Sequence, residues 1–199
     1  MADVSRETES ALERYWALLR KWSGRINLIG ATTVQRGWQR HIEDSLQLVE
    51  FLPPRAVHQG DLGSGGGLPA IPMHVARRAM GFEDRLTLIE ADARKAAFLR
   101  SACRDLGIAA QIQADRLDRV PPLEADVITA RALAPLPQLL PMVKRHLCPG
   151  GIAILPKGRR ARSELAFARD AWSFTVETHP SRTDPEALIL RIANIDQKM

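Results

Sequence analysis

The stretch "DLGSGGGLPAIP", residues 61–72, contains four glycines and two prolines among twelve residues and begins with an aspartate. Glycine at this density removes side chains, so the backbone can turn sharply and lie close to a ligand. Glycine-rich turns between a strand and a helix bind phosphates, dinucleotides or methyl donors. The spacing of the glycines, and the residues around them, distinguish these possibilities.

The chain after residue 55 alternates between short strand-like runs and helical stretches. Helices are predicted near residues 70–80, 93–106 and 136–147, and strands at 56–61, 85–90, 109–114, 125–130, 151–156, 173–178 and 187–192. This alternation is typical of a parallel sheet with helices on both faces. Only a turn separates the last two strands, so they should pair antiparallel. The sequence therefore predicts an α/β fold with a seven-stranded, mostly parallel sheet that ends in an antiparallel hairpin.

The first fifty residues have a helical pattern instead. Two apolar stripes recur at helical spacing up to the stop at Pro53-Pro54: Leu12, Tyr15, Trp16, Leu19 and Trp22, then Trp38, Ile42, Leu46 and Val49. No repeat or linker interrupts the chain. We therefore expect one domain over residues 1–199, with a helical N-terminal cap over 1–54 and a nucleotide-binding core over 55–199.

Composition limits the classes of protein. The hydrophobic content of 45% and charged content of 26% are ordinary for a globular chain. Two cysteines exclude a disulfide framework and a four-cysteine zinc site, and we expect no metal. No apolar run approaches the roughly 18 residues of a membrane span, so we expect a cytoplasmic protein with no membrane partner. The net charge of +5 favours a polyanionic partner.

The residues after the glycines exclude a P-loop, which needs Gly-Lys-Ser/Thr where this chain has Leu68 and Pro69. The dinucleotide spacing G-x-G-x-x-G fits only in part. Counted from Gly65 and Gly67, its last position is Ala70, which is tolerable. A nicotinamide enzyme therefore stays open as an alternative.

The spacing D-x-G-x-G-x-G fits better and favours S-adenosylmethionine as cofactor. An aspartate can accept the ammonium of the methionine part, while backbone N–H groups of the turn face its carboxylate. Glu90 at the end of the second strand is positioned to accept both ribose hydroxyls, although a plain strand-end charge is the alternative. After the third strand, Leu117 could pack on the adenine and Asp118 could accept its amine, or Asp118 could cap a helix. The motif residues are Asp61, Gly63, Gly65 and Gly67.

Several segments, in order, resemble the RsmG (GidB) family of bacterial methyltransferases that modify N7 of a guanine in 16S ribosomal RNA. The resemblance runs from about residue 10 to 193, and its segments are "RYWALLRKWSGRINLIGAT" (14–32), "RHIEDSLQL" (40–48), "DLGSGGGLPAIP", "DRLD" (115–118), "ITARALAPL" (128–136) and "LPKG" (155–158). It implies a Rossmann-like class I methyltransferase that uses S-adenosylmethionine. It also implies a partner, 16S rRNA in the small ribosomal subunit or its assembly intermediate, and we expect a monomer.

The resemblance also implies roles for residues. Gly63 and Leu68 would line the donor site, with Leu117 and Asp118 at the adenine. Arg131 would lie between cofactor and target base as a positioning residue, on the cofactor side. RNA-binding residues would be Arg94, Lys95, Arg116 and Lys157, and the basic run 157–162 adds Arg159 and Arg160. Two departures are Ala70, where a glycine is usual, and Glu90, where many members have aspartate.

The chemistry of the acceptor supports the same function. Methylation of pyrimidine C5 needs a cysteine nucleophile, generally in a Pro-Cys pair, but Cys148 precedes Pro149. Methylation of an exocyclic amine usually involves an Asn/Asp-Pro-Pro-Tyr/Phe tetrad, whereas residues 130–133 are Ala-Arg-Ala-Leu. Guanine N7 has a free lone pair and no proton to remove, so no general base is expected.

Other functions and roles stay open from the sequence alone. A methyltransferase that acts on a small molecule is one alternative, although the +5 charge and the absence of a lid insertion argue against it. A non-catalytic RNA-binding protein that kept the fold is another, although Asp61, the glycines and Glu90 are all present. His41 and Asp44 lie on one helical face, where they could border the pocket or orient the N-terminal helices.

Overall fold

The computed structural model describes residues 5–30 and 37–198. Its strands form one sheet in the order β3-β2-β1-β4-β5-β7-β6. Their bounds are β1 (His58–Leu62), β2 (Arg85–Ile89), β3 (Ala110–Gln113), β4 (Ala125–Thr129), β5 (Leu147–Lys157), β6 (Trp172–Pro180) and β7 (Leu188–Gln197). All seven predicted strands are present, and β5 begins four residues before its prediction.

The strand pairing confirms the predicted architecture. β1 pairs in parallel with β2 and β4, β2 with β3, and β4 with β5. β7 pairs antiparallel with both β5 and β6, which gives the final hairpin. The chain moves outward from β1 to β3 and then returns to place β4 on the other side of β1. This reversal creates a crevice at the carboxyl ends of β1 and β4, where open α/β sheets bind ligands.

The helices follow sequence signals closely in the core. They are α1 (Arg6–Ser23), α2 (Asp44–Leu46), α3 (Ala70–Ala79), α4 (Ala93–Asp105), α5 (Leu136–His146) and α6 (Ala161–Ala171). α1 begins after Ser5, whose hydroxyl accepts from the Thr8 amide at 3.3 Å. α2 lies between a π-helical turn, Gln39–Glu43, and a 3₁₀ turn, Gln47–Phe51, so the second apolar stripe is less regular than predicted. Among the described residues, no helix is long and apolar enough to cross a membrane.

The sheet buries a hydrophobic cluster on each face. On one face, α1, α3 and α4 pack against β2. Tyr15 of α1, Phe98 of α4 and Leu88 of β2 are each fully buried in this cluster. On the other face, α5 and α6 cover β4 and β5. α6 has no clear signal in the sequence, because its buried residues are the small Ala161 and Ala168 rather than a stripe of large side chains.

Candidate functional site

Two loops follow the central strands at the crevice and form the site. The glycine turn, residues 63–69, follows β1, and the 130–135 loop follows β4. Two cavities of about 660 and 1030 Å³ open beside these loops. Both cavities are lined by the same five residues of the crevice: Gly63, Gly65, Lys95, Ala132 and Leu133. The cavities therefore adjoin at the carboxyl ends of the strands.

Glycine is required at three positions of the turn by its backbone. Gly63, Gly65 and Gly67 have φ angles of 65°, 55° and 79°, in the left-handed region that other residues rarely adopt. A Cβ at Gly63 would lie 2.6 Å from Leu133 Cδ1, and one at Gly67 would lie 2.4 Å from Ile71 Cδ1. A Cβ at Gly65 would meet only the Gly63 carbonyl, at 3.8 Å. The space beside the Gly65 Cα, where a side chain would lie, is therefore open toward the cavities.

Contacts from below hold the turn in place. The Tyr15 hydroxyl, on α1, donates to the Gly66 carbonyl. The Ser64 hydroxyl donates to the Asp61 carbonyl at 3.0 Å, and the Ser64 amide donates to the Ile89 carbonyl at 2.9 Å. Burial raises the pKa of Tyr15 well above its usual value, so the phenol stays protonated and remains a donor. The helical spacing predicts only an apolar role for Tyr15, the one tyrosine of the sequence, because periodicity carries no information about its hydroxyl.

Asp61 lies beneath the turn rather than on a cavity wall. It is fully buried and lines neither cavity. Its Oδ1 accepts from the Thr129 hydroxyl at 2.6 Å, whereas no described residue donates to its Oδ2. Burial raises the pKa of Asp61 to about 7. A direct contact between Asp61 and the ammonium of the donor stays a prediction. The backbone of the glycine turn lies between the Asp61 carboxyl and the cavities.

Glu90 bridges the turn and the next loop at the smaller cavity. Its Oε2 accepts from the Gly65 amide and its Oε1 from the Asp92 amide, both at 2.8 Å. Leu117 and Asp118 line the same cavity, and Asp118 also accepts from Arg116 at 3.1 Å. Their contact with an adenine stays a prediction. Each oxygen of Glu90 keeps acceptor capacity beyond these amides. The arrangement fits a ribose diol at Glu90 and an adenine beyond it.

Arg131 lines the larger cavity and is held by the N-terminal cap. Its guanidinium donates to the Arg40 carbonyl at 3.3 Å and to His41 Nδ1 at 3.2 Å, and it lies 3.5 Å from an Asp44 oxygen. Burial and the neighbouring Arg131 lower the pKa of His41 to about 4, so His41 is neutral at neutral pH. A neutral imidazole can accept at Nδ1 only in the tautomer protonated at Nε2.

His41 and Asp44 combine the two roles that the sequence left open. Both line the larger cavity and contact Arg131. The other oxygen of Asp44 accepts from the Thr183 hydroxyl at 2.6 Å and from Gln47 Nε2 at 2.8 Å. The cap therefore connects the 130–135 loop to the β6–β7 loop, and both border the cavity.

The six predicted RNA-binding residues divide by exposure. Arg94, Arg116, Arg159 and Arg160 are exposed, and Lys95 is half-buried between the cavities. The Lys157 side chain is only 10% exposed, and its ammonium donates to the Ala134 carbonyl at 2.7 Å and lies 3.0 Å from Glu164. Among the described residues, no group of three or more histidine, cysteine or acidic side chains could hold a metal ion.

Comparison with known proteins gives the family. The chain matches the family described as "GidB: rRNA small subunit methyltransferase G" over residues 8–185. It is 47% identical to "Ribosomal RNA small subunit methyltransferase G" of Cereibacter sphaeroides over 190 residues, which cover 96% of this chain and 92% of that protein. The protein of the same description from Paracoccus denitrificans is 47% identical over 193 residues, covering 96% and 97%.

The comparison with solved structures concerns the fold. A "SAM dependent methyltransferase" from Aquifex aeolicus superposes with a TM-score of 0.60 at 11% identity, covering 83% of this chain and 98% of that one. The sheet order and this likeness confirm the predicted Rossmann-like class I methyltransferase fold. The family match over residues 8–185 and the 47% identity over 96% of the chain establish that this chain belongs to the rRNA small subunit methyltransferase G (GidB) family.

Proposed function

We propose that this protein transfers a methyl group from S-adenosylmethionine to N7 of one guanine in 16S ribosomal RNA. The observation that carries the proposal is the pair of adjoining cavities at the crevice between β1 and β4. The smaller cavity has the acceptor, Glu90, and the apolar wall, Leu117, that an adenosine needs. The larger cavity, which reaches exposed arginines at its rim, has room for a base that leaves the RNA stack.

Residues of the crevice would hold the donor at both ends. Glu90 would accept the ribose hydroxyls, and Leu117 with Asp118 would contact the adenine. Gly63 and Gly65 would let the donor approach the backbone, beside Leu68, which is buried. The bound donor supplies an electrophilic methyl group on its sulfonium. We assign Asp61 to fixing the strand end from which the turn begins, because its carboxyl hydrogen-bonds to Thr129 of the neighbouring strand.

Catalysis in this proposal consists of alignment. N7 of guanine would attack the sulfonium methyl carbon with its in-plane lone pair, as the carbon–sulfur bond breaks and S-adenosylhomocysteine leaves. N7 has no proton to lose, so the residues need only orient the base and exclude water. Orientation of this kind can lower the activation free energy by about 7–11 kcal/mol. A guanidinium beside N7 would oppose the positive charge that forms there, so we place Arg131 on the donor carboxylate. His41 and the Arg40 carbonyl would fix Arg131 in that position.

Exposed basic residues would bind the phosphates around the target base. Arg159 and Arg160 line the larger cavity, Arg116 lines the smaller one and Lys95 lies at their junction, whereas Arg94 is exposed next to Lys95 and lines neither cavity. Binding should therefore weaken as salt rises. We propose that the whole chain acts as a single domain, as a monomer in the cytoplasm, on the small ribosomal subunit or its assembly intermediate.

The test uses the purified protein, methyl-labelled S-adenosylmethionine, and small subunits or 16S rRNA from cells that lack this activity. Labelled RNA is cleaved chemically at 7-methylguanine and the position is mapped. We expect one labelled guanine. Subunits from cells that keep the activity are the control, because their site is already methylated and should accept no label.

Two results would contradict the proposal in different ways. Label on an exocyclic amine or on pyrimidine C5 would leave the RNA substrate correct and overturn the N7 assignment. No transfer to RNA, despite tight donor binding in calorimetry, would favour a small-molecule acceptor or a non-catalytic role. A rise in melting temperature with a nicotinamide cofactor, and none with S-adenosylmethionine, would favour the reductase alternative.

A further inference from the structure

The 130–135 loop is held in a conformation that its own sequence does not favour. Ala132 has a φ angle of 54°, in the left-handed region that is unfavourable for a residue with a Cβ. Leu133 packs directly over Gly63, and Arg131 projects from the same loop into the larger cavity. Strain of this kind persists only where surrounding structure imposes it.

The helix that follows the loop also lacks a cap of its own. α5 begins at Leu136 after Pro135, which has no side-chain group to accept the free amides of the first turn. The carboxylate of Glu164, on α6, accepts from the Leu136 amide at 2.8 Å instead. A distant acidic side chain thus takes the place of the local capping residue, where its charge also complements the helix dipole.

Lys157 completes this arrangement from the end of β5. Its ammonium donates to the Ala134 carbonyl at 2.7 Å and lies 3.0 Å from the same Glu164 oxygen that caps α5. The Lys157 and Glu164 side chains are only 10% and 16% exposed. For comparison, the Lys144–Asp196 pair also involves α5, but its side chains are 46% and 71% exposed. The buried pair contacts the loop backbone at Ala134 and Leu136.

We propose that Lys157 and Glu164 are positioning residues for methyl transfer, which hold the 130–135 loop and therefore Arg131 and Leu133 in the catalytic arrangement. This role rests on the proposed function and replaces the phosphate contact that the sequence predicted for Lys157. The ammonium and carboxylate neutralise each other and fix two consecutive parts of the chain, the end of the loop and the start of α5. Phosphate binding is then assigned to exposed basic residues. One of them, Arg159, lies two positions beyond Lys157.

The test compares Lys157→Met with two matched variants. Arg159→Met removes an exposed charge two residues away, and Lys144→Met makes the same change in an exposed ion pair of α5. Three quantities are measured for each: the single-turnover rate with donor and RNA saturating, the salt dependence of RNA binding, and the hydrogen exchange rate of the Leu136 amide. Amide exchange needs no RNA, so it reports on the loop even if wild-type protein transfers no methyl group to RNA.

We expect Lys157→Met to lower the single-turnover rate about 10- to 100-fold, since small displacements of positioning groups have effects of this size. Exchange at Leu136 should accelerate, while the salt slope of RNA binding stays as in wild type. Arg159→Met should give a different result: the salt slope should fall by about 0.7–0.9, while exchange at the Leu136 amide stays as in wild type. Lys144→Met should match wild type in all three measurements.

Glu164 provides a second test if Lys157→Met does not fold. Glu164→Gln keeps an oxygen that can accept from Leu136 and Lys157, whereas Glu164→Ala removes it. Recovery of most of the rate in Glu164→Gln, compared with Glu164→Ala, would support the positioning role. A reduced salt slope with a normal rate in Lys157→Met would overturn it in favour of a phosphate contact. Wild-type rates in both Glu164 variants would overturn it as well.

Discussion

The glycine turn after β1 and the 130–135 loop after β4 lie side by side at the crevice, but they are built differently. The turn carries its conformation in its own sequence, with glycine at each of the three left-handed positions 63, 65 and 67. The loop has an alanine at its left-handed position, Ala132, and depends on β5, α6 and the N-terminal cap. Substitutions in the turn should therefore act locally, whereas the loop should be sensitive to residues far away in the chain.

The largest effect should come from Gly65→Asp. Position 65 has a φ of 55° and its side faces open space, so an aspartate would be strained and would point a carboxylate into the donor site beside Glu90. We expect donor affinity to fall at least about 100-fold, or ~2.7 kcal/mol. Calorimetric titration with S-adenosylmethionine measures this. Gly107→Asp is the control, because its φ of 61° is similar and nothing lies within 4 Å of a Cβ there. Normal titration of Gly65→Asp would refute the assignment of the pocket.

The contact between the turn and the loop can be tested with Gly63→Ala. The new methyl group would lie 2.6 Å from Leu133 Cδ1, so one of the two segments must move. We expect a loss of about 1–3 kcal/mol in stability from overpacking and a roughly tenfold loss in donor affinity. Adding Leu133→Ala should restore part of both losses by making room for the methyl group. Equal losses in the single and double variants would mean that backbone strain at position 63, rather than the contact, is responsible.

Sequence patterns predicted the parts of the molecule that depend on local structure. The alternation of strands and helices predicts the sheet and its final hairpin, and the glycine spacing predicts the turn. Each of these patterns depends only on residues that are close in sequence. Lys157 illustrates why the rest was not predicted. It belongs to the basic run 157–162, which favours an RNA contact, but its ammonium lies 3.0 Å from the carboxylate of Glu164, seven residues further along on α6. The partners of Asp61 and Arg131 also come from elements distant in sequence, Thr129 and His41, which only the folded chain brings together.

Buried titratable groups of the site should give opposite dependences of stability on pH. Asp61 has its pKa raised from 3.8 to about 7, so the folded protein retains a proton that the unfolded chain releases. Its contribution to stability is therefore complete below pH 3.8 and is lost as the pH rises to about 7. His41 has its pKa lowered from 6.5 to about 4, so its contribution is present above pH 6.5 and is lost as the pH falls.

We expect Asp61→Asn to remove the first dependence. Urea unfolding at several values between pH 4 and pH 7.5 would measure the free energy of unfolding of both proteins. The difference, variant minus wild type, should increase with pH across this range by up to a few kcal/mol, because only wild type loses the Asp61 contribution. His41→Asn should give a difference that changes in the other direction below pH 6.5. Parallel curves for wild type and Asp61→Asn would contradict the raised pKa.

The smallest effect on donor affinity should come from Tyr15→Phe, which tests how far the N-terminal cap supports the turn. The substitution keeps the ring in the α1 interface and removes only the hydroxyl that donates to the Gly66 carbonyl. Leaving a buried carbonyl without this donor should cost about 1–3 kcal/mol in the free energy of unfolding. Because Gly66 lies beside Gly65, we also expect donor affinity to weaken a few-fold, in contrast to the loss of at least about 100-fold in Gly65→Asp. Trp22→Phe is the comparison, since Trp22 packs its ring on Phe98 of α4 in the same hydrophobic cluster and is no part of the turn.

If both variants lose stability but only Tyr15→Phe weakens donor binding, α1 acts on the site through this hydrogen bond. If donor affinity is unchanged in Tyr15→Phe, the glycine turn keeps its conformation without the cap, and its independence from distant residues is greater than the contacts indicate.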